Sequence, residues 1–381
     1  MSRRASEPAA AGDEVGDERT FAGYDRGDRG TGVRNRVLVL PSVICSHVVA
    51  DRIADRVPEA VSASHDHGCA QIGADNEQTR RTFLGLGANP NVAGTVVVGL
   101  GCEVLQSDEV AADMADRGVP VRELSIQGVG GTDECVERGV DLARELVDDA
   151  RASERATADP GDLTLGVVAS DLRDSTVGTA DPLVGELVSS VVEAGGRVLL
   201  AGTERFTAHP DAALDATARG AREGMAALLE AHRDRPARAT RVRAEALDYG
   251  FDDLARQWDG LRIEEVVRYG DPATLDDGVA LVDAPARFEE AATGLAAAGA
   301  SLVVHVTGEG VPAGHPLVPV LKVSGDPETV AALPDDIDVD ATTTGPQALA
   351  DRVLAVADGE PSRAEVHGLT EFAITRVGPS M

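Results

Sequence analysis

Short apolar runs alternate along this chain with segments of helical periodicity, and this alternation constrains the fold more than any other feature. Most of the runs are rich in Val and Leu. Runs of this kind are typical of strands that are buried on both faces. The runs cover residues 37–40, 95–100, 121–126, 163–168, 196–200, 279–282, 301–306 and 318–323. We therefore predict parallel sheets that are covered by helices.

Apolar residues at helical spacing fill the intervals between these runs. The predicted helices cover residues 46–57, 76–87, 107–117, 133–150, 183–194, 212–232, 287–298 and 346–357. A polar stretch, 151–162, ends in Pro160 and Gly161 and indicates a boundary between two domains. We predict an α/β fold with two Rossmann-like parallel-sheet units, helices on both faces, in domains 21–151 and 162–381. Residues 1–20 have almost nothing to bury, which favours a disordered tail.

The charge of the chain excludes some classes of partner. Its formal net charge is -30 at pH 7. Such a surface repels the phosphates of nucleic acid and of anionic membranes, so we expect small molecules and other proteins as partners. The sequence has no continuous apolar run of about 18 residues, and its first residues are polar. We therefore expect a cytoplasmic protein with no membrane association.

The basic residues are almost all arginine. Among 35 Lys and Arg residues only Lys322 is a lysine, and 65 Asp and Glu residues oppose them. This balance indicates a halophilic protein, whose carboxylates stay hydrated in a salty cytoplasm that screens their repulsion. A GC-rich genome that favours Arg codons is the alternative explanation.

Polar and sulfur-bearing side chains follow several of the predicted strands. Cys45 and Ser46 follow one strand, His65 to Cys69 follow another, and Cys102 and Glu103 follow a third. Because the carboxyl ends of parallel strands meet at one edge of a sheet, we expect these residues to gather at a ligand crevice. The helix after Cys45 would offer free N–H groups to a carboxylate.

Each of these features has an ordinary structural interpretation as well. His65 and His67 are also compatible with a plain polar loop, and Cys69 and Cys102 with small buried fillers. Glu103 is either a solvated acid or a ligand. Gln127 and Thr132 lie where they would cap the helix that follows.

Lys322 attracts attention because it lies inside an apolar strand. Burial would lower the pKa of its amine and suit it to proton transfer or to holding a carboxylate. We expect it to meet the strand ends of the first unit across a shared pocket. A chance survivor at a strand edge is the alternative.

Rare residue types in a characteristic order carry a resemblance to a known family. The segments are Gly23-Tyr24, Gly32 to Asn35, Leu40 to Ser46, His65 to Gln71, Asn89 to Val92, Gly99 to Glu103, Gly314 to Pro316, Pro319 to Val323 and Glu371 to Ile374. In these segments, from about residue 21 onward, the chain resembles the altronate/galactarate dehydratase family. It is also similar to the large subunit of sulfolactate sulfo-lyase.

The resemblance implies a hydro-lyase that eliminates water from a sugar acid with the help of a divalent metal, Fe2+, Mn2+ or Ca2+. The implied catalytic residues are His65, His67 and Lys322. The implied substrate-binding residues are Cys45, Ser46, Gln71, Gln127 and Thr132, and the implied metal ligands are Cys69, Cys102 and Glu103. The resemblance also implies a separate small subunit with an antifreeze-like domain, and we expect an oligomer.

The sequence departs from the family pattern at three segments. A Cys-Gly-Gly-Ser-Asp motif has become Val167 to Asp171, the segment 259–270 lacks a lysine of the family, and a Thr-Gly-Arg-Gly loop has Glu309 in place of Arg. Exchanging Arg for Glu would weaken a carboxylate site. Two alternatives therefore stay open: a sulfolactate sulfo-lyase type of subunit, and a non-catalytic paralogue with a regulatory or binding role.

Overall fold

The computed structural model describes residues 19–69, 71–233 and 240–378. The tail predicted for residues 1–20 lies outside the described residues, apart from Arg19 and Thr20. No described helix is both long enough and apolar enough to cross a lipid bilayer.

A parallel sheet with helices on both faces forms the first part of the described chain. The strands of this part are β1 (Phe21–Asp25), β2 (Thr31–Gly32), β3 (Arg36–Pro41), β4 (Ala60–Ser62), β5 (Val92–Gly99) and β6 (Val121–Ser125), of which β3 to β6 form the parallel sheet. Its helices are α1 (His47–Ala54), α2 (Ala74–Ala88), α3 (Ser107–Asp116), α4 (Ile126–Val129) and α5 (Thr132–Arg151). Strands β3 to β6 pair in the order β4-β3-β5-β6. Alternate residues of β3 and β5 face α1 and α5 on one side and α2 and α3 on the other, which explains their apolar runs.

A larger parallel sheet forms the second part. Its strands are β8 (Thr164–Ala169), β9 (Arg197–Leu200), β10 (Ile263–Val267), β11 (Gly278–Val282), β12 (Leu302–Val306), β13 (Val320–Ser324) and β14 (Val339–Asp340), which follow β7 (Ala156–Ala158). They pair in the order β10-β11-β9-β8-β12-β13-β14. From β8 the next strand in the chain, β9, lies on one side and the later strand β12 lies on the other. The carboxyl ends of the strands near β8 therefore border the crevice in which open α/β sheets bind ligands.

Helices cover this sheet and connect its strands. They are α6 (Asp181–Glu193), α7 (Glu204–Thr207), α8 (Pro210–Asp215), α9 (Arg222–Arg233), α10 (Thr240–Ala246), α11 (Phe251–Leu254), α12 (Phe288–Ala297), α13 (Pro327–Ala332), α14 (Pro346–Ala357) and α15 (Arg363–Val366). A π-helical turn, Thr176–Ala180, precedes α6 directly. The prediction of an α/β fold with parallel sheets flanked by helices is confirmed.

One apolar core is shared by the two sheets. It packs α2 and α3 of the first part against α12 and the strands of the second part. Buried asparagines reinforce this joint. The Asn89 amide donates to the carbonyl oxygens of Ala296 and Ala300 at 2.7 and 2.8 Å. The Asn91 amide nitrogen donates to Ser301 and Leu317, while its oxygen accepts from two backbone N–H groups at 2.8 and 3.0 Å.

A short antiparallel sheet links the two ends of the first part. Strand β1 lies between β2 and β7, and Phe21 pairs with Ala158. The Phe21 side chain is buried in the core of the second sheet. The segments that begin and end the first part, β1 and β7, are therefore both attached to the second part.

Candidate active site

The carboxyl ends of both sheets face a cleft of about 1320 Å³. The first sheet contributes the segments after β3 and β4, and the second contributes the segments after β8, β9 and β11. Further walls come from α9, α10 and the last described segment of the chain. The lining residues that matter below are His47, His65, His67, Ser170, Glu204, His232, Arg241, Arg243, Asp283 and Arg287.

His65 lies in the cleft wall with both ring nitrogens engaged. Its Nε2 donates to the carbonyl oxygen of Pro41 at 2.7 Å, and its Nδ1 accepts the backbone N–H of His67 at 3.2 Å. Burial lowers the pKa of His65 to about 4. The ring is therefore neutral at pH 7, and its visible role is to fix the loop after β4.

His67 is held in the same neutral form. Its Nδ1 accepts from the side-chain amide of Gln71 at 2.6 Å, so the proton lies on Nε2, which faces the carbonyl oxygen of Ile374 at 3.0 Å. The Gln71 oxygen in turn accepts from the Thr79 hydroxyl at 2.7 Å. Burial lowers the pKa of His67. Gln71 thus positions His67, and the pair ties the β4 loop to the last described segment.

Glu204 is one of the groups in the cleft that sequence analysis missed. It begins α7, directly after β9, and only 3% of its surface is exposed. Its Oε2 accepts the backbone N–H of Ala286 at 2.9 Å, whereas its Oε1 has no hydrogen-bond partner among the described residues. Burial raises the pKa of Glu204 to about 7. A buried carboxyl with a free oxygen and this pKa is suited to proton transfer.

A histidine and an aspartate that contact each other lie on the same wall. The His232 Nε2 is 2.7 Å from Oδ1 of Asp283, and both side chains are half-buried. Asp283 directly follows β11, and His232 lies in the last turn of α9. The carboxylate orients the imidazole and leaves its Nδ1 for another partner.

Arginine side chains supply the positive charge of the cleft. Arg241, Arg243 and Arg287 all line it. Arg241 pairs with both oxygens of Glu309 at 2.8 and 3.1 Å, and Arg173 pairs with the same carboxylate at 3.0 Å. Glu309 therefore holds Arg241 in the cleft. The positive charge of Arg241 offsets the replacement of the family's arginine by Glu309.

Lys322 does not lie on the cleft surface, which corrects its expected position. Its side chain is fully buried in β13, and its Nζ has no hydrogen-bond partner within the part of the chain that the structure describes. Strand β13 pairs with β12 on the far side of β8, so Lys322 lies beside His305. The His305 Nε2 contacts the Ser170 hydroxyl at 2.9 Å, and Ser170 lines the cleft. The side chains of His305 and Ser170 thus lie between the Lys322 amine and the cleft. Burial lowers the pKa of Lys322.

Cysteines gather at the edge of the first sheet beside the cleft. Cys45, Cys69 and Cys102 are exposed and follow the neighbouring strands β3, β4 and β5. Ile44 and His47, on either side of Cys45, line the cleft. We call these three cysteines and their loops the thiol edge.

Glu103 organises the thiol edge through hydrogen bonds. Its carboxylate accepts the Ser42 hydroxyl at 2.8 Å and the backbone N–H groups of Leu100, Gly101 and Cys102 at 3.1, 2.6 and 2.9 Å. These bonds occupy both oxygens. Across the described residues, no three His, Cys, Asp or Glu side chains are arranged to hold a single metal ion.

The remaining predicted residues differ in their positions. Ser46 is buried, and its hydroxyl donates to the carbonyl oxygens of Val43 and Val98. Gln127 is exposed and lies against Gly101 of the thiol edge. Thr132 is exposed at the first position of α5, directly after the N-cap residue Gly131.

Two family models match the chain. The model described as D-galactarate dehydratase/Altronate hydrolase, second domain, matches residues 23–151. The model described as D-galactarate/Altronate dehydratase, C-terminal, matches residues 256–380. The two matches correspond to the first sheet with its helices and to the later half of the second sheet.

Characterised relatives span nearly the whole chain. The (2R)-sulfolactate sulfo-lyase subunit beta of Chromohalobacter salexigens is 28% identical over 94% of this chain and 98% of its own length. The altronate dehydratase of Bacillus subtilis is 26% identical over 96% of this chain and 79% of its own length. The galactarate dehydratase (L-threo-forming) of Escherichia coli is 26% identical over 85% of this chain and 68% of its own length. The chain belongs to the D-galactarate/altronate dehydratase family.

Proposed function

We propose that this protein is a hydro-lyase that eliminates water from a sugar acid of the altronate or galactarate type in the cleft between its two sheets. The family and relatives named as dehydratases support this reaction class. The observation that carries the proposal is the cleft itself, which combines arginines with a buried carboxyl whose pKa is about 7.

The arginines bind the substrate carboxylate in this proposal. A guanidinium group donates two parallel hydrogen bonds to a carboxylate and stays charged at any physiological pH. Arg241 is held in place by Glu309, and Arg287 follows β11 on the same wall. The cleft also has room for a six-carbon acid, because its volume lies at or above the upper end of the range for small-molecule sites.

Two groups in the cleft handle the protons. Glu204 takes the proton from the carbon next to the substrate carboxylate, since its free Oε1 and its pKa allow it to exist as the base at neutral pH. His232, held by Asp283, gives a proton to the departing β-hydroxyl, which leaves as water. The enol that remains converts to a keto acid. The ring nitrogens of His65 and His67 are occupied by hydrogen bonds, so these side chains shape the wall of the cleft.

The implied divalent metal finds no arranged set of three ligands among the described residues, and the donor atoms nearest to such a set lie at the thiol edge. The oxygens of Glu103 are occupied by hydrogen bonds, so the donors left at the thiol edge are thiols. Thiolates select zinc or iron rather than the oxygen-preferring Ca2+ and Mn2+. A bound metal would supply positive charge that stabilises the negative charge developing on the substrate.

A separate small subunit completes the proposed enzyme in the cytoplasm. The chain matches 98% of a relative named as a subunit beta but 79% of a relative named as a dehydratase. We expect the small subunit to cover the cleft and the complex to form an oligomer. Co-purification of a small protein encoded beside this chain tests this point.

Turnover on a panel of aldonic and aldaric acids tests the reaction. The full chain is assayed with its co-purifying subunit, with Fe2+ or Zn2+ under reducing conditions, and keto-acid formation is measured. A variant of a buried cleft group, Glu204→Gln, is compared with Glu193→Gln, an exposed glutamate on α6. We expect wild type and Glu193→Gln to form keto acid, and Glu204→Gln not to form it. Absence of turnover on every acid by a folded complex contradicts the proposal and leaves a non-catalytic paralogue.

A sulfolactate sulfo-lyase type of reaction is the second candidate. A relative that this chain covers over 98% of its own length carries that name. Sulfite release from sulfolactate, measured beside keto-acid formation from the sugar acids, separates the two reactions. Sulfite release without sugar-acid turnover would replace the first candidate by the second.

A further inference from the structure

A second cavity lies at the opposite edge of the first sheet from the cleft. Its volume is about 290 Å³. Arg36 and Glu59 line it at the amino ends of β3 and β4, whereas the cleft lies at the carboxyl ends of these parallel strands. Because Gly359, just after α14, also lines it, we call it the seam cavity between the two parts of the chain. The other lining residues are Tyr24, Val33, Arg34, Asn35 and Arg155.

Two carboxylates near the seam cavity are each matched by an arginine. Glu365 accepts two hydrogen bonds of 2.7 Å from Arg34, which lines the cavity. Glu59 pairs with Arg151. Arg36 reaches Glu365 only at 3.4 Å, and 31% of the Arg36 side chain is exposed. The Arg36 guanidinium is therefore in excess over these two carboxylates.

Arg155 adds a positive charge that is bound only by uncharged groups. Its Nη1 and Nη2 donate to the carbonyl oxygens of Asp358 and Ala357 at 2.8 and 3.0 Å. Its Nε is buried and has no hydrogen-bond partner among the described residues. The guanidinium lies 5.6 Å from the centre of the Tyr24 ring. Carbonyl dipoles and an aromatic face stabilise the cation but leave its charge unneutralised.

Two further arginines beside the seam cavity raise the positive charge. The Arg26 guanidinium lies 5.4 Å from the centre of the same Tyr24 ring and contacts the side-chain oxygen of Asn35. Arg26 and Arg29 each donate to a backbone carbonyl oxygen, at 3.2 and 3.1 Å, and neither forms an ion pair within the described chain. Burial lowers the pKa of both, and the charge of Arg29 lowers the pKa of Arg26 further. Positive charge is thus concentrated at one place on an acidic protein.

We propose that the seam cavity binds a small dianion, either a phosphate group or a short dicarboxylate, through Arg36 and Arg155. A guanidinium group donates paired hydrogen bonds to two oxygens of either kind of anion. Two negative charges would neutralise the two guanidinium groups that the nearby carboxylates leave in excess.

The position of the seam cavity gives a bound dianion a structural consequence. Arg36 begins β3 of the first sheet, and Arg155 is bonded to the end of α14, which packs on the second sheet. An anion held by both side chains would therefore connect the two parts of the chain. Ligand that binds only the folded protein raises its unfolding temperature. This inference is independent of the proposed function, since the seam cavity and the cleft lie at opposite edges of the first sheet.

Calorimetric titration of the full chain with two probes tests the inference. Inorganic phosphate and malonate are titrated separately at low chloride concentration, in a slightly alkaline buffer in which both are dianions. We expect binding of at least one probe, together with a rise in the unfolding temperature. Binding of phosphate alone identifies a phosphate group as the ligand, binding of malonate alone identifies a dicarboxylate, and binding of both shows that charge decides. No binding of either probe at about 10 mM overturns the inference.

Charge-changing variants locate the site. Arg36→Gln and Arg155→Gln should each weaken binding at least about tenfold, because each loses charge-assisted hydrogen bonds. Glu59→Gln should instead tighten binding about threefold to tenfold, because it removes a negative charge from the cavity wall. Misfolding does not increase affinity, so this variant decides the test even if Arg155→Gln fails to fold. Arg219→Gln changes an exposed arginine outside the cavity and should keep wild-type affinity.

Binding in the cleft is distinguished by one more variant. Arg241→Ala removes an arginine from the cleft and should leave the affinity of the seam cavity unchanged. Binding that is lost in Arg241→Ala and kept in Arg36→Gln and Arg155→Gln would belong to the cleft and would overturn the inference. Wild-type affinity in every variant of the seam cavity would overturn it as well. None of these measurements involves turnover, so failure here is distinguishable from failure of the proposed reaction.

Discussion

The surroundings of Glu204 set it apart from the other carboxylates of this acidic chain. Most of those face solvent, whereas Glu204 is buried and keeps one oxygen without a hydrogen-bond partner in the described part of the protein. Desolvation penalises its charged form and raises its pKa to about 7. Burial thus gives Glu204 a pKa at which the carboxyl can take up and release a proton near pH 7.

Replacing Glu204 by Gln should abolish proton abstraction. We expect kcat to fall by about 10² to 10⁴-fold, since that is the usual contribution of a general base. The limb of the wild-type pH profile near pH 7 should disappear with it. Steady-state rates between pH 5 and 9 measure both effects. A variant that keeps the limb would contradict its assignment to Glu204.

The same substitution should stabilise the fold at alkaline pH. The folded-state pKa of about 7 exceeds the ordinary value of 4.5, so the stability that protonated Glu204 contributes is complete below pH 4.5 and lost as the pH rises through 7. Above pH 7 the variant should therefore gain about 3 kcal/mol, and near pH 4 it should gain little. Denaturant unfolding at the two pH values measures this. An equal effect at both pH values would contradict the assigned pKa.

Arg241 and Arg173 offer a matched pair for the carboxylate site. Both bind Glu309, but Arg241 lines the cleft and Arg173 is an exposed partner outside it. Arg241→Ala should raise KM about tenfold to a hundredfold, the value of a charge-assisted hydrogen bond, with a smaller change in kcat. Arg173→Ala should change KM less than threefold, or about 0.6 kcal/mol. Equal effects would place the carboxylate elsewhere.

Residue types reveal this site only in part. His65 and His67 were predictable because histidine is rare here and the pair follows a strand, and both line the cleft. Glu204 and Asp283 were not, because the chain has 65 acids and nothing local separates a buried one from a solvated one. Their burial arises from strands that lie far apart in the sequence.

At the scale of elements, apolar runs identified the central strands well. The predicted runs 37–40, 95–100 and 301–306 overlap β3, β5 and β12. Strand β10 was missed because an edge strand with two glutamates lacks a continuous apolar run. The predicted helix 212–232 is divided into α8 and α9, because the backbone between them, at Ala216 and Ala218, bonds to Ile263 of β10.

The asparagines before β5 have a role that depends on segments distant in the sequence. The sequence marked Asn89 and Asn91 as part of a family-like segment, and the structure gives them a joining role between the two sheets. Asn91 alone makes four hydrogen bonds, two within the first unit and two to the second. All of these partners are backbone groups, which no side-chain pattern displays.

Asn91→Ala should therefore loosen the joint. It leaves buried backbone groups without partners, each worth about 1–3 kcal/mol, so we expect at least about 3 kcal/mol of lost stability. Asn76→Ala is the matched control, since the Asn76 amide nitrogen has no hydrogen-bond partner among the described residues. Urea unfolding compares the two variants. A loss of less than 1 kcal/mol for Asn91→Ala would show that the shared apolar core alone holds the units together.

At the scale of the whole molecule, the charge of -30 opposes compaction. The arginines form many ion pairs, but most of these pairs are exposed and contribute little each. The shared core and the two sheets must therefore overcome a net repulsion that extends over the entire surface. Salt acts on this repulsion more strongly than on the buried contacts.

The thermal unfolding temperature should rise with salt. Raising KCl from about 0.1 M to about 1 M shortens the screening length from about 10 Å to about 3 Å, which removes most of the repulsion between neighbouring carboxylates. For a chain of this size, a gain of about 2 kcal/mol corresponds to an increase of a few degrees. Scanning calorimetry across the salt series measures it.

Two comparisons decide what the salt effect means. Sucrose at matched osmolality favours compact states without screening charge, so a rise seen with sucrose as well would not support electrostatic adaptation. Because KCl is a weak salting-out agent, screening predicts that most of the gain occurs below about 1 M, where the screening length changes fastest. A flat response to KCl would contradict the halophilic interpretation. The excess of arginine over lysine would then reflect codon usage rather than selection for a salty cytoplasm.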